Sequence, residues 1–157
     1  RTGGQCCSDY KASGKVPGNI YGLNICCDGQ LVACIFKPLP GPTPNSSTQE
    51  MSQYCLAVHE ATHLGQPLLP CPSGCGLSEA KFPNTYEKMK GECLAYQAQI
   101  ECLNKAIASQ ACQSKANCVT QLTQVLKSVQ IESAPYCIYY GSQPPPSYPK
   151  PPQGPTL

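Results

Sequence analysis

The order of apolar and polar positions changes period along the chain, and each change marks an element. Leu23-Asn-Ile-Cys-Cys27 and Gln30-Leu-Val-Ala-Cys-Ile-Phe36 flank Asp28-Gly29, a dipeptide that tolerates the positive φ angles of a two-residue turn. This stretch predicts a β-hairpin. Its register puts Leu23, Ile25, Cys27, Val32 and Cys34 on one face and Cys26, Leu31, Ala33 and Ile35 on the other, so the adjacent Cys26 and Cys27 must reach different partners.

Helical spacing takes over further on. Ser47-Thr-Gln-Glu50 fits a capping box, and the helix it opens is expected over Thr48–Leu64, stopping at Gly65 as a left-handed cap. Pro67, Pro70 and Pro72 forbid its continuation. Asn84 with Glu87 caps a second helix, Thr85–Ala108, in which Met89, Tyr96, Ile100, Leu103 and Ile107 form an apolar stripe. A third helix is predicted over 115–130 from Val119, Leu122, Val125, Leu126 and Val129. Residues 1–18, 37–45 and 66–84 read as irregular, the first as an arm tied down by Cys6 and Cys7. The prolines from residue 142 onward predict an extended polyproline II tail. The fold class expected is α+β: a helix-dominated small domain over 1–141 with an N-terminal β-hairpin, about three helices, multiple disulfides and a Pro-rich C-terminal tail over 142–157.

Composition narrows the partners. The chain has 157 residues, eleven Lys plus Arg against nine Asp plus Glu, and 13% charged residues, so no basic face for nucleic acid is expected. No apolar run approaches the ~18 residues of a membrane span, so no membrane insertion is expected either. The Gly-rich start at Arg1 has no signal-peptide pattern, which reads as a mature form or a domain cut from something longer.

Thirteen cysteines spread through the chain read as staples: six disulfides with one thiol left over, in a secreted, extracellular or periplasmic setting. Cys102 is expected to meet Cys112 or Cys118 across a helical hairpin. Cys93, nine residues from Cys102 and half a turn out of phase with it, staples the opposite side. A competing reading, structural zinc, has Cys71 and Cys75 as its ligand pair.

The chemistry concentrates in one place. The chain's two histidines stand four apart in His59-Glu60-Ala61-Thr62-His63, near the end of the first well-marked helix. At that spacing both imidazoles leave one face of the helix and can chelate a single Zn2+. Glu60, one step round, is placed to act as catalytic base, taking a proton from the water that the metal activates and passing it to the leaving amine.

A catalytic zinc takes three protein ligands, and no third histidine exists. Glu92 is the metal ligand expected from the second helix, because it lies inside the stripe of Met89, Tyr96, Ile100 and Leu103, where an unpaired carboxylate is costly. Glu101, half a turn away, should face water, Glu87 is used at the helix start, and Glu79 sits in a loop. Tyr96, one turn past Glu92, is the candidate catalytic hydroxyl for the developing oxyanion, with core packing as its plainer role.

The motif followed by a glutamate on a later helix resembles the glutamate-ligated HExxH zinc metallopeptidases. Ile25-Cys-Cys-Asp-Gly29 and Ala33-Cys34 before it, with Gly91-Glu-Cys-x-Ala-Tyr96 and Glu101-Cys-Leu103 after it, resemble more narrowly the cysteine-rich metallopeptidase toxin domains of bacterial Rhs-type polymorphic toxins. The similarity covers roughly residues 25–103. It implies His59, His63 and Glu92 as ligands, Glu60 as base, a protein or peptide substrate, delivery to a competitor, and a cognate immunity or inhibitor protein as partner. An independent secreted peptidase fits the residues as well.

Two readings from other classes remain beside this hydrolase: a secreted disulfide-rich binding or structural module without catalysis, and a closed structural metal site completed by a cysteine such as Cys55. Serine, cysteine and aspartic hydrolases are disfavoured. Both histidines are already paired for metal, and Asp9 and Asp28 lie in an arm and a turn.

Overall fold

The computed structural model describes residues 1–16, 22–36, 43–74 and 76–144. In chain order these form α1 (Gly3–Ala12), β1 (Gly22–Cys27), β2 (Gln30–Ile35), α2 (Thr48–Leu64), β3 (Leu77–Glu79), α3 (Thr85–Ala108), α4 (Gln110–Gln113) and α5 (Cys118–Ser142). The class is α+β and helix-dominated, with an antiparallel three-stranded sheet in the order β2-β1-β3. The Pro-rich tail from residue 145 onward, the loop at 37–42 and Cys75 lie outside the described residues.

The hairpin has the expected register, pairing Leu23 with Cys34 and Ile25 with Val32. Asp28 and Gly29 both take positive φ, 51° and 80°, the geometry that a two-residue turn between twisted strands requires. Cys27 joins Cys6 while its neighbour Cys26, on the opposite face, joins Cys71.

Several segments depart from the sequence expectation. The N-terminal arm is a helix, α1, because Thr2 and Gln5 form a reciprocal capping box and Cys6–Cys27 and Cys7–Cys34 pin the segment to the hairpin. That anchoring outweighs the poor helix propensity of Gly3 and Gly4. The second irregular stretch contains β3, whose three residues pair Leu77, Ser78 and Glu79 with Cys27, Cys26 and Ile25. A strand this short carries no periodicity to read. Gly65 does end α2, but with φ −93° rather than in the left-handed region.

The third helix, expected over 115–130, starts at Cys118 after Asn117 at φ 64° and runs through Pro135 to Ser142. Proline in a helix interior removes one backbone hydrogen bond and costs about 3 kcal/mol. Here the turns after it are fastened to α3 by Cys93–Cys137 and by stacking of Tyr136 on Tyr96, which offsets that cost. Val119, expected in the apolar stripe of this helix, is 37% exposed, while Leu122 and Val129 are buried.

Cysteine pairing also differs from expectation. Cys102 bonds Cys55 on α2, and Cys112 and Cys118 bond each other across the short link between α4 and α5. Cys93 and Cys102 do staple opposite sides of α3, to α5 and α2 respectively. Cys71 is in a disulfide, so the Cys71/Cys75 zinc pair is not formed. In total the described residues hold six disulfides and no helix long and apolar enough to cross a membrane.

Two apolar clusters result. One gathers Met51, Cys55, Leu103, Leu122 and Val129 between α2, α3 and α5. The other gathers Cys6, Tyr10, Ile25, Cys27 and Cys34 between α1 and the hairpin. They are joined where Asn24 of β1, 8% exposed, donates its side-chain amide to the His63 carbonyl at 3.0 Å. The end of α2 that carries the two histidines is therefore tied directly to the sheet.

Candidate metal centre and active-site cleft

Helical spacing puts His59 and His63 on one face of α2, and the packing of α2 on α3 brings Glu92 to meet them. The two Nε2 atoms lie 3.2 Å apart, and Glu92 Oε2 is 3.7 Å from His59 Nε2 and 3.4 Å from His63 Nε2. Donors sharing one tetrahedral zinc at 2.0–2.1 Å must stand about 3.3 Å from each other. The triangle has the size that such an ion needs, and the donor set of two imidazoles and one carboxylate suits it chemically. Two ring nitrogens at 3.2 Å repel through their lone pairs unless one of them carries a hydrogen or a metal ion lies between them.

The helices are held in register close to these ligands. Cys55, one turn before His59, is bonded to α3 through Cys102, and Cys93, the neighbour of Glu92, is bonded to α5 through Cys137. Cys55 is fully buried in that disulfide and offers no thiolate, which removes the closed site completed by Cys55. The remaining cluster of metal-ligand types, Cys6, Cys27 and Asp28, likewise contains a disulfide.

Electrostatics follow from the same geometry. Burial pushes the Glu92 carboxyl up, but the facing imidazoles of His59 and His63 outweigh it and hold the group at about 2. Burial pulls the His63 imidazole down, yet hydrogen bonding to Glu92 and Gln66 leaves it above the ordinary histidine value. His63 Nδ1 lies 2.9 Å from Gln66 Oε1, and Gln66 Nε2 donates to the Gly91 carbonyl at 2.8 Å.

His59, His63 and Glu92 open onto a cleft of about 390 Å³ whose walls come from β1, β3 and the three long helices. Glu60 and Tyr96 line it as expected, together with Phe82 and Tyr136. The Tyr96 ring stands edge-on to His59 with centroids 4.5 Å apart and stacks on Tyr136 at 5.7 Å. Burial, then the nearby carboxylates of Glu132 and Glu92, push its hydroxyl up to about 12, so it stays protonated near neutral pH. Glu101 faces water and pairs with Lys105 at 3.0 Å. Glu79, expected in a loop, ends β3 at the cleft wall.

A larger cavity of about 780 Å³ lies away from the histidines, against Met51, Tyr54, Val58 and Ala106. Among the described residues its charged lining side chains are Glu101 and Lys105, which pair with each other. The smaller cleft is the one lined by both histidines, Glu60 and Glu92.

Three contributors to the site were not singled out from sequence. Tyr136 lay beyond the expected helix end, although Leu122, Val129 and Tyr136 continue one seven-residue spacing straight through Pro135. Asn24 was visible as a lone polar residue inside an apolar strand. Gln66, in the turn after α2, had no sequence signal. In comparisons with known proteins, no family model, no curated protein and no solved structure matches the chain.

Proposed function

We propose that this chain is a zinc-dependent endopeptidase hydrolysing peptide bonds, with His59, His63 and Glu92 as metal ligands and Glu60 as catalytic base. The observation that carries this reading is the triangle of donor atoms at 3.2, 3.4 and 3.7 Å, open to a cleft that Glu60 also lines. Zinc, when bound, supplies the acidity that makes water nucleophilic near neutral pH and polarises the scissile carbonyl. Glu60 then accepts the proton of the attacking water and returns it to the departing amine. Tyr96, protonated at working pH, is a donor for the oxygen on which negative charge develops. The six disulfides favour action in an oxidising place, secreted, extracellular or periplasmic, as an independent peptidase or as a delivered toxin with its own immunity protein.

The reading is tested with an unfolded protein as substrate. Chelator treatment is expected to abolish cleavage, and stoichiometric Zn2+, but not Mg2+, to restore it. Failure of zinc to produce cleavage, with the fold intact, contradicts the proposal.

The pH dependence of zinc retention has a defined sign. Protons compete with the metal for the imidazole nitrogens, and His63 holds its proton more tightly than an ordinary histidine. The apparent zinc affinity should therefore start to weaken while pH is still above the ordinary imidazole value of about 6.5. The Glu92 carboxyl stays ionised until about 2, so acid release reports the imidazoles. Zinc titrations against a competing chelator at stepped pH check this, and an affinity unchanged from about pH 8 down to about pH 5 would contradict it.

A further inference from the structure

We infer that Gln66 is a positioning residue that fixes the tautomer and orientation of His63, and that Gly91 is glycine to make room for it. The inference rests on His63 serving as a ligand through Nε2, as read above. The logic runs through one amide. A backbone carbonyl only accepts, so the 2.8 Å bond to the Gly91 oxygen identifies the Gln66 atom there as the NH2 group. The other end of the amide, Oε1, then faces His63 Nδ1 at 2.9 Å and can only accept. His63 must therefore carry a hydrogen on Nδ1, and in the neutral ring this leaves the Nε2 lone pair facing Glu92 and His59, where a metal would sit. Partners of this kind, holding a ligating histidine by its other nitrogen, raise metal affinity.

Gly91 supports this independently. A Cβ built there would lie 2.6 Å from Gln66 Oε1 and 2.8 Å from Phe82 Cε1. The amide and the phenyl ring occupy the volume that a side chain would take. Gly91 also immediately precedes Glu92, so one turn of α3 supplies both a ligand and the anchor for the partner of another ligand. Gln66 thereby couples the loop after α2 to α3 across the site.

The test has two readouts. Imidazole 15N NMR of the metal-free protein at pH 9, in a chain with only two histidines, is expected to show His63 as the Nδ1–H tautomer. Gln66→Ala and Gly91→Ala should each lose that signature and lower zinc affinity by about 10–100-fold. Gln66→Glu keeps an acceptor for Nδ1 but loses the donor to the Gly91 carbonyl, so it should retain the Nδ1–H tautomer. An Nε2–H tautomer in the unsubstituted protein, or unchanged zinc affinity in Gln66→Ala, overturns the inference. The tautomer readout needs no metal. A correct tautomer in a protein that binds no zinc therefore supports the Gln66 assignment and sinks the peptidase reading alone.

Discussion

Glu60→Gln is expected to retain one zinc per chain and to lose peptide hydrolysis by about a hundredfold or more. The substitution keeps the shape and hydrogen-bonding length of the side chain but removes its capacity to take a proton. General base catalysis by a positioned group contributes roughly 10²–10⁴ in rate, and here the same group also delivers the proton to the amine. Glu60 is adjacent to His59 yet outside the donor triangle, so the substitution leaves all three donor atoms in place. The fall should therefore appear in kcat, with metal content and melting temperature unchanged. Equal activity in the variant would remove Glu60 from the mechanism.

Glu92→Ala should act on the other half of the site. It takes away the carboxylate that faces both imidazoles, at 3.7 and 3.4 Å, and leaves two nitrogens converging at 3.2 Å with no anionic partner. Zinc affinity should fall by more than the ~10–100-fold that accompanies loss of a ligand's hydrogen-bonding partner, since a ligand itself is lost. Competition with a chromogenic chelator measures this. Glu101→Ala is the matched control: the same residue type on the same helix, exposed and paired only with Lys105, with no expected effect on metal. Similar zinc affinity in the two variants would contradict the ligand assignment.

The convergence of His59, His63 and Glu92 was legible in the sequence because each of the three obeys a local rule. Two histidines four apart on a capped helix must share a face, and a carboxylate inside an apolar stripe must find a cation. The hairpin was legible for the same reason, since Asp28-Gly29 and the alternation around it act within a dozen residues. What escaped was set by distant partners. α1 forms on the strength of two disulfides to the hairpin, and β3 exists because β1 offers it an edge. Pro135 reads as a helix breaker until the tie of Cys137 to Cys93 is known. Gln66 has meaning only once α3 places the Gly91 carbonyl beside it. Cysteine pairing was out of reach for the same cause: Cys102 had sequence-near partners in Cys112 and Cys118, but α2 packs Cys55 against it.

Whether His59, His63 and Glu92 hold one zinc ion is decided by elemental analysis of chelator-free protein, run in parallel for the native sequence and His59→Ala. The account expects one zinc per native chain and none in the variant. Native protein without metal, or metal retained equally by His59→Ala, would contradict it.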